Sequence, residues 1–363
     1  MITTIIGTRP EIIKMSNLIP LLDKNFEHKF IFSGQHFSKE MVDIFFGQLK
    51  VRQPDVVLSA GNLEHKPMAS SDYTYLLPTI TSELRENKSD YVIVYGDTNS
   101  TLAATLIAQK FGKKVIHIEA GLRSYDDRMA EEMVRILVDH MSDLLFAPSE
   151  LASMFLEKEG ITNNKFVVGN TVVDACLKYS EIADKESKIL DTLDLEKDEY
   201  ALATIHRAEN VDSPQRLIKI LRALSSIEKQ VVIPIHPRHK KRLSEFGFNV
   251  PSNLKSIEPL GYLDTLKLMK NSAFVLTDSG GIQEEAITLK VPCITLRETT
   301  ERWETVSLGA NFLTGIDPTL IKYKAKMISD TNLKSKIEKI ENPYGDGTAS
   351  EKITNVLLDK INH

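Results

Sequence analysis

The side chains of this sequence that could do chemistry sit at one kind of place, just beyond short apolar runs. Tyr91-Val92-Ile93-Val94-Tyr95 leads into Gly96-Asp97-Thr98, and Val115-Ile116-His117-Ile118 leads into Glu119. Runs of this kind predict buried strands, and open α/β sheets bind ligands beyond the carboxyl ends of their strands. Two successive strands thus bring carboxylates to one edge, where they can take and give protons. Asp97 alone also reads as a helix cap. Tyr200 to Ile205 delivers His206 and Arg207 in the same way, and a histidine titrating near neutral pH is an acid/base candidate.

Other charges gather around these ends. Thr3 to Ile6 runs into Gly7-Thr8-Arg9-Pro10-Glu11, with Lys14 one turn after Pro10. Pro10 suits the first turn of a helix. Two cations so close to a helix start are disfavoured by its dipole, which fits a phosphate or carboxylate between them better than plain surface charge. Glu131, Glu132 and Arg135 have helical spacing, so that Arg135 lies beside both glutamates. They form a surface ion-pair face or, with Arg123 and Arg128 nearby, part of a site. Gln35 and His36 follow a strand His28–Phe32, and His236 follows Val231–Ile235; each is a polar contact point or a solvated loop.

A different chemistry is offered by Leu276-Thr277-Asp278-Ser279-Gly280-Gly281-Ile282-Gln283-Glu284-Glu285. It reads as strand, turn and helix. Gly280 and Gly281 let the backbone approach a ligand and take positive φ, while the helix start aims N–H groups at an anion such as a diphosphate. Glu285 could accept from ribose hydroxyls. A bare strand-to-helix turn fits the stretch equally well.

The elements that must position these residues alternate strand and helix in both halves. We expect an α/β protein of two Rossmann-like, doubly wound domains facing across a cleft. The first spans 1–169 and the second 170–348, with a closing helix from Ala349 to Leu358 and residues 349–363 returning to the first. Gly169 to Asp174 reads as the boundary turn. The length of 363 residues calls for two cores. A composition of 42% hydrophobic and 26% charged residues is that of a globular chain. The net charge of -5 speaks against nucleic acid. Cys176 and Cys293 lack metal-ligand spacing and read as core thiols of a reducing compartment. No apolar run reaches the ~18 residues of a membrane span, and no secretory leader is recognisable, so a cytoplasmic protein is expected. No GxGxxG follows the first strand and no Walker A motif occurs, against nicotinamide and ATP chemistry.

Taken together, Gly7-Thr8-Arg9-Pro10-Glu11 with Lys14, Gly96-Asp97-Thr98, Glu119-Ala120-Gly121-Leu122-Arg123, Glu131-Glu132 with Arg135, Gly169-Asn170-Thr171, His206-Arg207, Asp278-Ser279-Gly280-Gly281 with Glu284-Glu285, Thr299-Thr300-Glu301-Arg302 and Asn342-Pro343-Tyr344-Gly345-Asp346-Gly347 resemble the non-hydrolysing UDP-N-acetylglucosamine 2-epimerases over nearly the whole chain. The resemblance implies a GT-B type fold and interconversion of UDP-GlcNAc and UDP-ManNAc, by elimination of UDP to 2-acetamidoglucal and re-addition. It implies no metal and no cofactor, a UDP-sugar as partner, and a homodimer. Matched motif to motif, Asp97, Glu119, Glu131 and His206 carry the acid/base chemistry. Arg9, Lys14, Arg135 and Arg302 hold charge, and Ser279, Gly280, Gly281 and Glu285 bind UDP.

The sequence also departs from the family pattern. Ala130 and Val134 stand where members often have Pro and Asn. Gln35, His36, Arg207 and His236 match an activator site for a second UDP-GlcNAc, whereas Ala208 and Ser38 do not, so weakened activator dependence is expected. Relatives acting on 2,3-diacetamido uronates share most of these motifs. A GT-B glycosyltransferase would share the UDP site, but a cluster of carboxylates in one half fits it poorly. A hydrolysing epimerase and an inactive sensor on the same scaffold are further alternatives.

Overall fold

The central strands in this chain are short, largely apolar and buried over most of their length, as parallel strands covered by helices on both faces must be; the edge strands are more open. The computed structural model describes residues 1–34, 46–47, 49–58, 73–235, 237–331 and 333–361. The chain divides into two units, Met1–Ala175 with Tyr344–His363, and Cys176–Pro343.

The first unit is built on a seven-stranded sheet. Its strands are β1 (Ile2–Ile6), β2 (His28–Phe32), β3 (Val56–Val57), β4 (Tyr91–Tyr95), β5 (Lys114–Ile118), β6 (Leu144–Ala147) and β7 (Lys165–Val167). All pair in parallel, in the order β3-β2-β1-β4-β5-β6-β7. The order reverses between β1 and β4, which is the switch point where such sheets open a crevice. Behind it the helix Asn99–Lys110 buries Leu102, Ala103, Ala104 and Ile107 against Ile5, Val92, Val94 and Val115. Its approach is close. A Cβ on Gly7 would lie 2.2 Å from Ser100 Oγ, so only glycine fits at the end of β1.

The second unit carries a six-stranded sheet with the order β10-β9-β8-β11-β12-β13. Its strands are β8 (Tyr200–Thr204), β9 (Gln230–Pro234), β10 (Leu254–Ile257), β11 (Phe274–Thr277), β12 (Cys293–Thr295) and β13 (Asn311–Leu313). All are again parallel. One face packs Ala201, Ile233, Leu276 and Ile294 on the helices Pro214–Ser225 and Pro318–Asp330. The other face buries Leu202, Val232, Val275 and Cys293. Both cysteines are buried and unpaired. Burial pushes the Cys293 thiol up to about 12 and the Cys176 thiol well above its ordinary value.

Two expectations are corrected. Val172-Val173-Asp174 is the start of a helix, Thr171–Glu186, rather than a turn. The turn is confined to Gly169, at φ +88°, and Asn170 caps the helix by accepting Val172 N–H at 3.1 Å. The division between units therefore falls inside this helix, at 175/176 rather than 169/170, and the chain rejoins the first unit at Tyr344. The last helix, Ala349–Ile361, packs on the helix Leu18–Asn25. Asp174 closes its start by accepting Ala349 N–H at 3.1 Å and Ser350 N–H at 2.7 Å. No helix among the described residues is long and apolar enough to cross a membrane.

Candidate functional site

At the first unit's switch point the loops after β1 and β4 are held by one carboxylate, Glu11. Its Oε2 accepts the N–H groups of Gly7 (2.8 Å) and Thr8 (2.6 Å), and its Oε1 accepts from Thr98 Oγ1 at 3.0 Å. Burial raises its pKa against these lowering bonds. Thr98, not Asp97, caps the helix Asn99–Lys110. Asp97 is thereby left to pair with Arg135, whose guanidinium also lies 3.5 Å from Glu132. One reading of Asp97 is thus removed by the structure, since its side chain is not the cap.

Glu119, just past β5, stands at φ +72°, a left-handed conformation that costs a non-glycine residue about 1–3 kcal/mol and is retained where the surroundings over-determine it. Three donors converge on its Oε2. These are Lys14 Nζ at 2.5 Å, Tyr95 Oη at 3.0 Å and Asn170 Nδ2 at 3.1 Å. The anion that Lys14 meets is thus a carboxylate of the protein itself. Arg9 is half-buried at the first residue of its helix.

On the helix Ala130–Met141 the neighbouring glutamates part company. Glu132 is buried and accepts Ser124 N–H (2.8 Å), Ser124 Oγ (2.8 Å) and Tyr125 N–H (2.9 Å). Glu131 is half-exposed and has no hydrogen-bonding partner among the described residues. Val134, which stands where family members often have Asn, is core.

Sequence reasoning missed the layer beneath. His117 puts Nδ1 2.7 Å from Asp139 and Nε2 2.8 Å from the carbonyl of Gly96. Asp139 also accepts Gly121 N–H at 3.0 Å and pairs with Arg123 at 2.7 Å. Burial opposes the Asp139 charge, but His117 and Arg123 hold its carboxyl below the usual range. Arg123 is fully buried and bidentate on Glu159 at 2.7 Å. Glu159 and Asp139 outweigh desolvation and hold it above its ordinary value. This girdle fastens Gly96 and Gly121, the glycines flanking Asp97 and Glu119. His117 gave a signal in sequence, an imidazole within the otherwise apolar run Val115–Ile118.

In the second unit the loop after β8 is organised by Asp278, which is fully buried at the end of β11. Its carboxylate accepts the N–H groups of His206 and Arg207, both at 3.1 Å, and the amide of Asn210 at 2.9 Å. Arg207 returns Nε to the Asp278 carbonyl at 3.0 Å. The His206 ring is left open, with 59% of its side chain exposed and Nδ1 3.5 Å from Asp278.

Ser279 caps the helix Gly280–Thr288. Here the expected use of the glycines is corrected. Neither has positive φ; both lie in the first helical turn. Gly280 is required because a Cβ there would come 2.3 Å from Glu301 Oε1, whereas Gly281 meets only Ser279 Oγ at 4.0 Å. Glu301 pairs with Arg297 at 2.7 Å, and Arg302, itself buried, pairs with Glu284 at 2.7 Å. Glu285 accepts from Tyr262 Oη at 2.9 Å; burial first, and then this carboxylate, push the Tyr262 hydroxyl well up. Gln35, His36, Ser38 and His236 lie outside the described residues. Among the described residues no group of three or more His, Cys, Asp or Glu side chains is placed to hold a metal.

A family model described as UDP-N-acetylglucosamine 2-epimerase matches residues 21–358. The chain is also 45% identical to the UDP-N-acetylglucosamine 2-epimerase of Methanocaldococcus jannaschii, over 98% of each chain. It belongs to the UDP-N-acetylglucosamine 2-epimerase family. Within that family it is similar, at 38% identity over 98% of this chain and 99% of the other, to a UDP-2,3-diacetamido-2,3-dideoxy-D-glucuronate 2-epimerase of Pseudomonas aeruginosa. The crystal structure of the Methanocaldococcus jannaschii epimerase in complex with UDP-GlcNAc and UDP matches with a TM-score of 0.88 at 43% identity, covering 99% of each chain. This 2-epimerase fold, two doubly wound parallel sheets, is the α/β architecture expected from the sequence.

Proposed function

We propose that this chain is a non-hydrolysing epimerase that interconverts UDP-GlcNAc and UDP-ManNAc. The observation that carries the reading is the pairing at the first switch point. Asp97 and Glu119 stand at successive strand ends, each against its own cation, Arg135 and Lys14. A weakly acidic C2–H needs a positioned base, and the return of a proton to the opposite face needs a second group. Asp97, Glu119 and Glu131 supply these carboxylates. The base takes the C2 proton, the C–H electron pair forms the C1–C2 double bond, and the C1–O bond breaks with its electrons leaving on UDP. Re-addition of UDP to C1 and a proton to C2 from the other face completes the inversion.

The diphosphate calls for hydrogen-bond donors and positive charge. The N-terminus of the helix Gly280–Thr288 suits its charge, and His206, exposed beside Asp278, suits a proton donor to the leaving group. Arg9, Lys14, Arg135 and Arg302 add positive potential, and Glu285 takes the ribose. Arg207 is engaged with Asp278, and Ala208 brings no charge to its side. Activation by a second UDP-GlcNAc is therefore weak. The protein works in the cytoplasm as a homodimer.

Incubation with UDP-GlcNAc in D2O, followed by NMR at C2, tests this reading. The expected result is deuterium at C2 in both epimers, with UDP retained. Free ManNAc and UDP as the end products would make the enzyme hydrolytic. Turnover of only the diacetamido uronate, offered in parallel, would move the substrate. No exchange with either sugar nucleotide would end the proposal.

A further inference from the structure

Glu119 owes its placement to a residue from elsewhere in the chain. Asn170 is 2% exposed and its side chain bonds at both ends. The amide oxygen accepts Val172 N–H at 3.1 Å, as a helix cap. That bond fixes which end of the amide is oxygen, because a backbone N–H can only donate. The NH2 group must then face the Glu119 carboxylate, 3.1 Å away. Tyr95 Oη lies 3.0 Å from both Glu119 Oε2 and Asn170 Oδ1, and 3.1 Å from Thr171 Oγ1. It has one proton, so it can serve the carboxylate or the amide but not both at once.

The backbone of Asn170 is held as firmly. Its N–H donates to Tyr344 O at 2.8 Å. Gly169 (φ +88°) and Gly345 (φ +100°) cross so closely that a Cβ on Gly169 would lie 2.8 Å from Tyr344 O. Asp174, one helical turn further on, caps the returning helix. Asn170 therefore stands where the outgoing and returning stretches of the chain are tied together, and from there it reaches Glu119.

We propose that Asn170 is a positioning residue for the reaction: its amide sets the orientation and the proton affinity of the Glu119 carboxylate, in addition to capping its own helix. The inference rests on Glu119 being an acid/base group. Among the described residues, Lys14, from the helix Arg9–Met15, and the Tyr95 hydroxyl, from β4, face Glu119 and can change charge.

The test compares substitutions that all keep a good N-cap. Asn170→Ser retains a cap but removes the NH2 donor. Asn170→Asp also retains a cap and puts a carboxylate against Glu119, which opposes its ionisation. The full-length protein is labelled with 13Cδ-glutamate, the Glu119 resonance is assigned with Glu119→Gln, and its titration is followed in each variant. Loss of a donor and a nearby like charge both favour the protonated form. Expected is an upward shift of the Glu119 midpoint of about 1 unit or more in N170D and a smaller upward shift in N170S. The acid limb of kcat should follow, with KM changing less than threefold. Equal midpoints in wild type, N170S and N170D would overturn the proposal and leave Asn170 a cap only. If the wild type turns over no sugar nucleotide, the epimerase reading fails, while the NMR titration still decides whether Asn170 governs Glu119.

Discussion

The two sheets share one strand order about their first strand, yet the loops at their switch points are held from different distances. In the first unit Glu11 gathers the N–H groups of Gly7 and Thr8, four and three residues away. In the second, Asp278 gathers those of His206 and Arg207, from 72 and 71 residues away. Both solve the same problem, the unpaired N–H groups left where a parallel strand ends. The local solution leaves the neighbouring strand end of its sheet free to present Asp97. The distant one uses up the carboxylate of the neighbouring strand end, so the second unit offers there a capped helix N-terminus and an open histidine. One scaffold thus displays side-chain carboxylates and the other a capped helix start beside an exposed imidazole.

The sharpest way to break this contrast is at Asp97. Replacement by Asn should lower kcat by about 10²–10⁴ while UDP binding, measured by calorimetry, stays within threefold. A comparable loss of UDP affinity would mean that Asp97 acts in holding UDP rather than on the C2 proton. Next in size is the buried girdle. Asp139→Asn leaves His117 and Arg123 facing a neutral group, at a cost of about 3–5 kcal/mol at pH 7, read from hydrogen exchange of the β4 and β5 amides. The sign with pH is fixed. The folded carboxyl lies below its unfolded value of about 3.9, so its contribution is complete above that pH and is lost as pH falls through the folded value. The gap between wild type and D139N should therefore close in acid, and a gap constant with pH would assign the loss to packing. The smallest effect separates the paired glycines of the second unit. Gly280→Ala must displace Glu301 and should cost about 1–3 kcal/mol, whereas Gly281→Ala makes only an ordinary contact with Ser279 Oγ and should stabilise slightly, by up to about 1 kcal/mol, read as a raised urea midpoint. Equal costs at both positions would remove Glu301 as the reason for Gly280.

How much of this could be read from the chain follows the same division between near and far. Strand ends, the Pro10 helix start and the helix bearing Glu131 and Arg135 depend on neighbours in sequence, and the structure places them as expected. The partners of Glu119 come from residues 14, 95 and 170, and no periodicity joins those positions. Gly280 was misread for the same reason. A glycine in a turn suggests positive φ, and only the fold brings Glu301 against it. Asp139 carried no sign of its role because its three donors lie on other elements. The family motifs bridged part of this gap, since they recorded residues whose contacts a single sequence cannot show.

Cys176 and Cys293 both fall in the second unit, and both thiols are closed to solvent. A thiol-reactive dye added to the native enzyme therefore finds nothing to label until that unit opens. The rate of colour development is a clock for opening around Cys293, in the core of the second unit, and around Cys176, on the helix in which the two units divide.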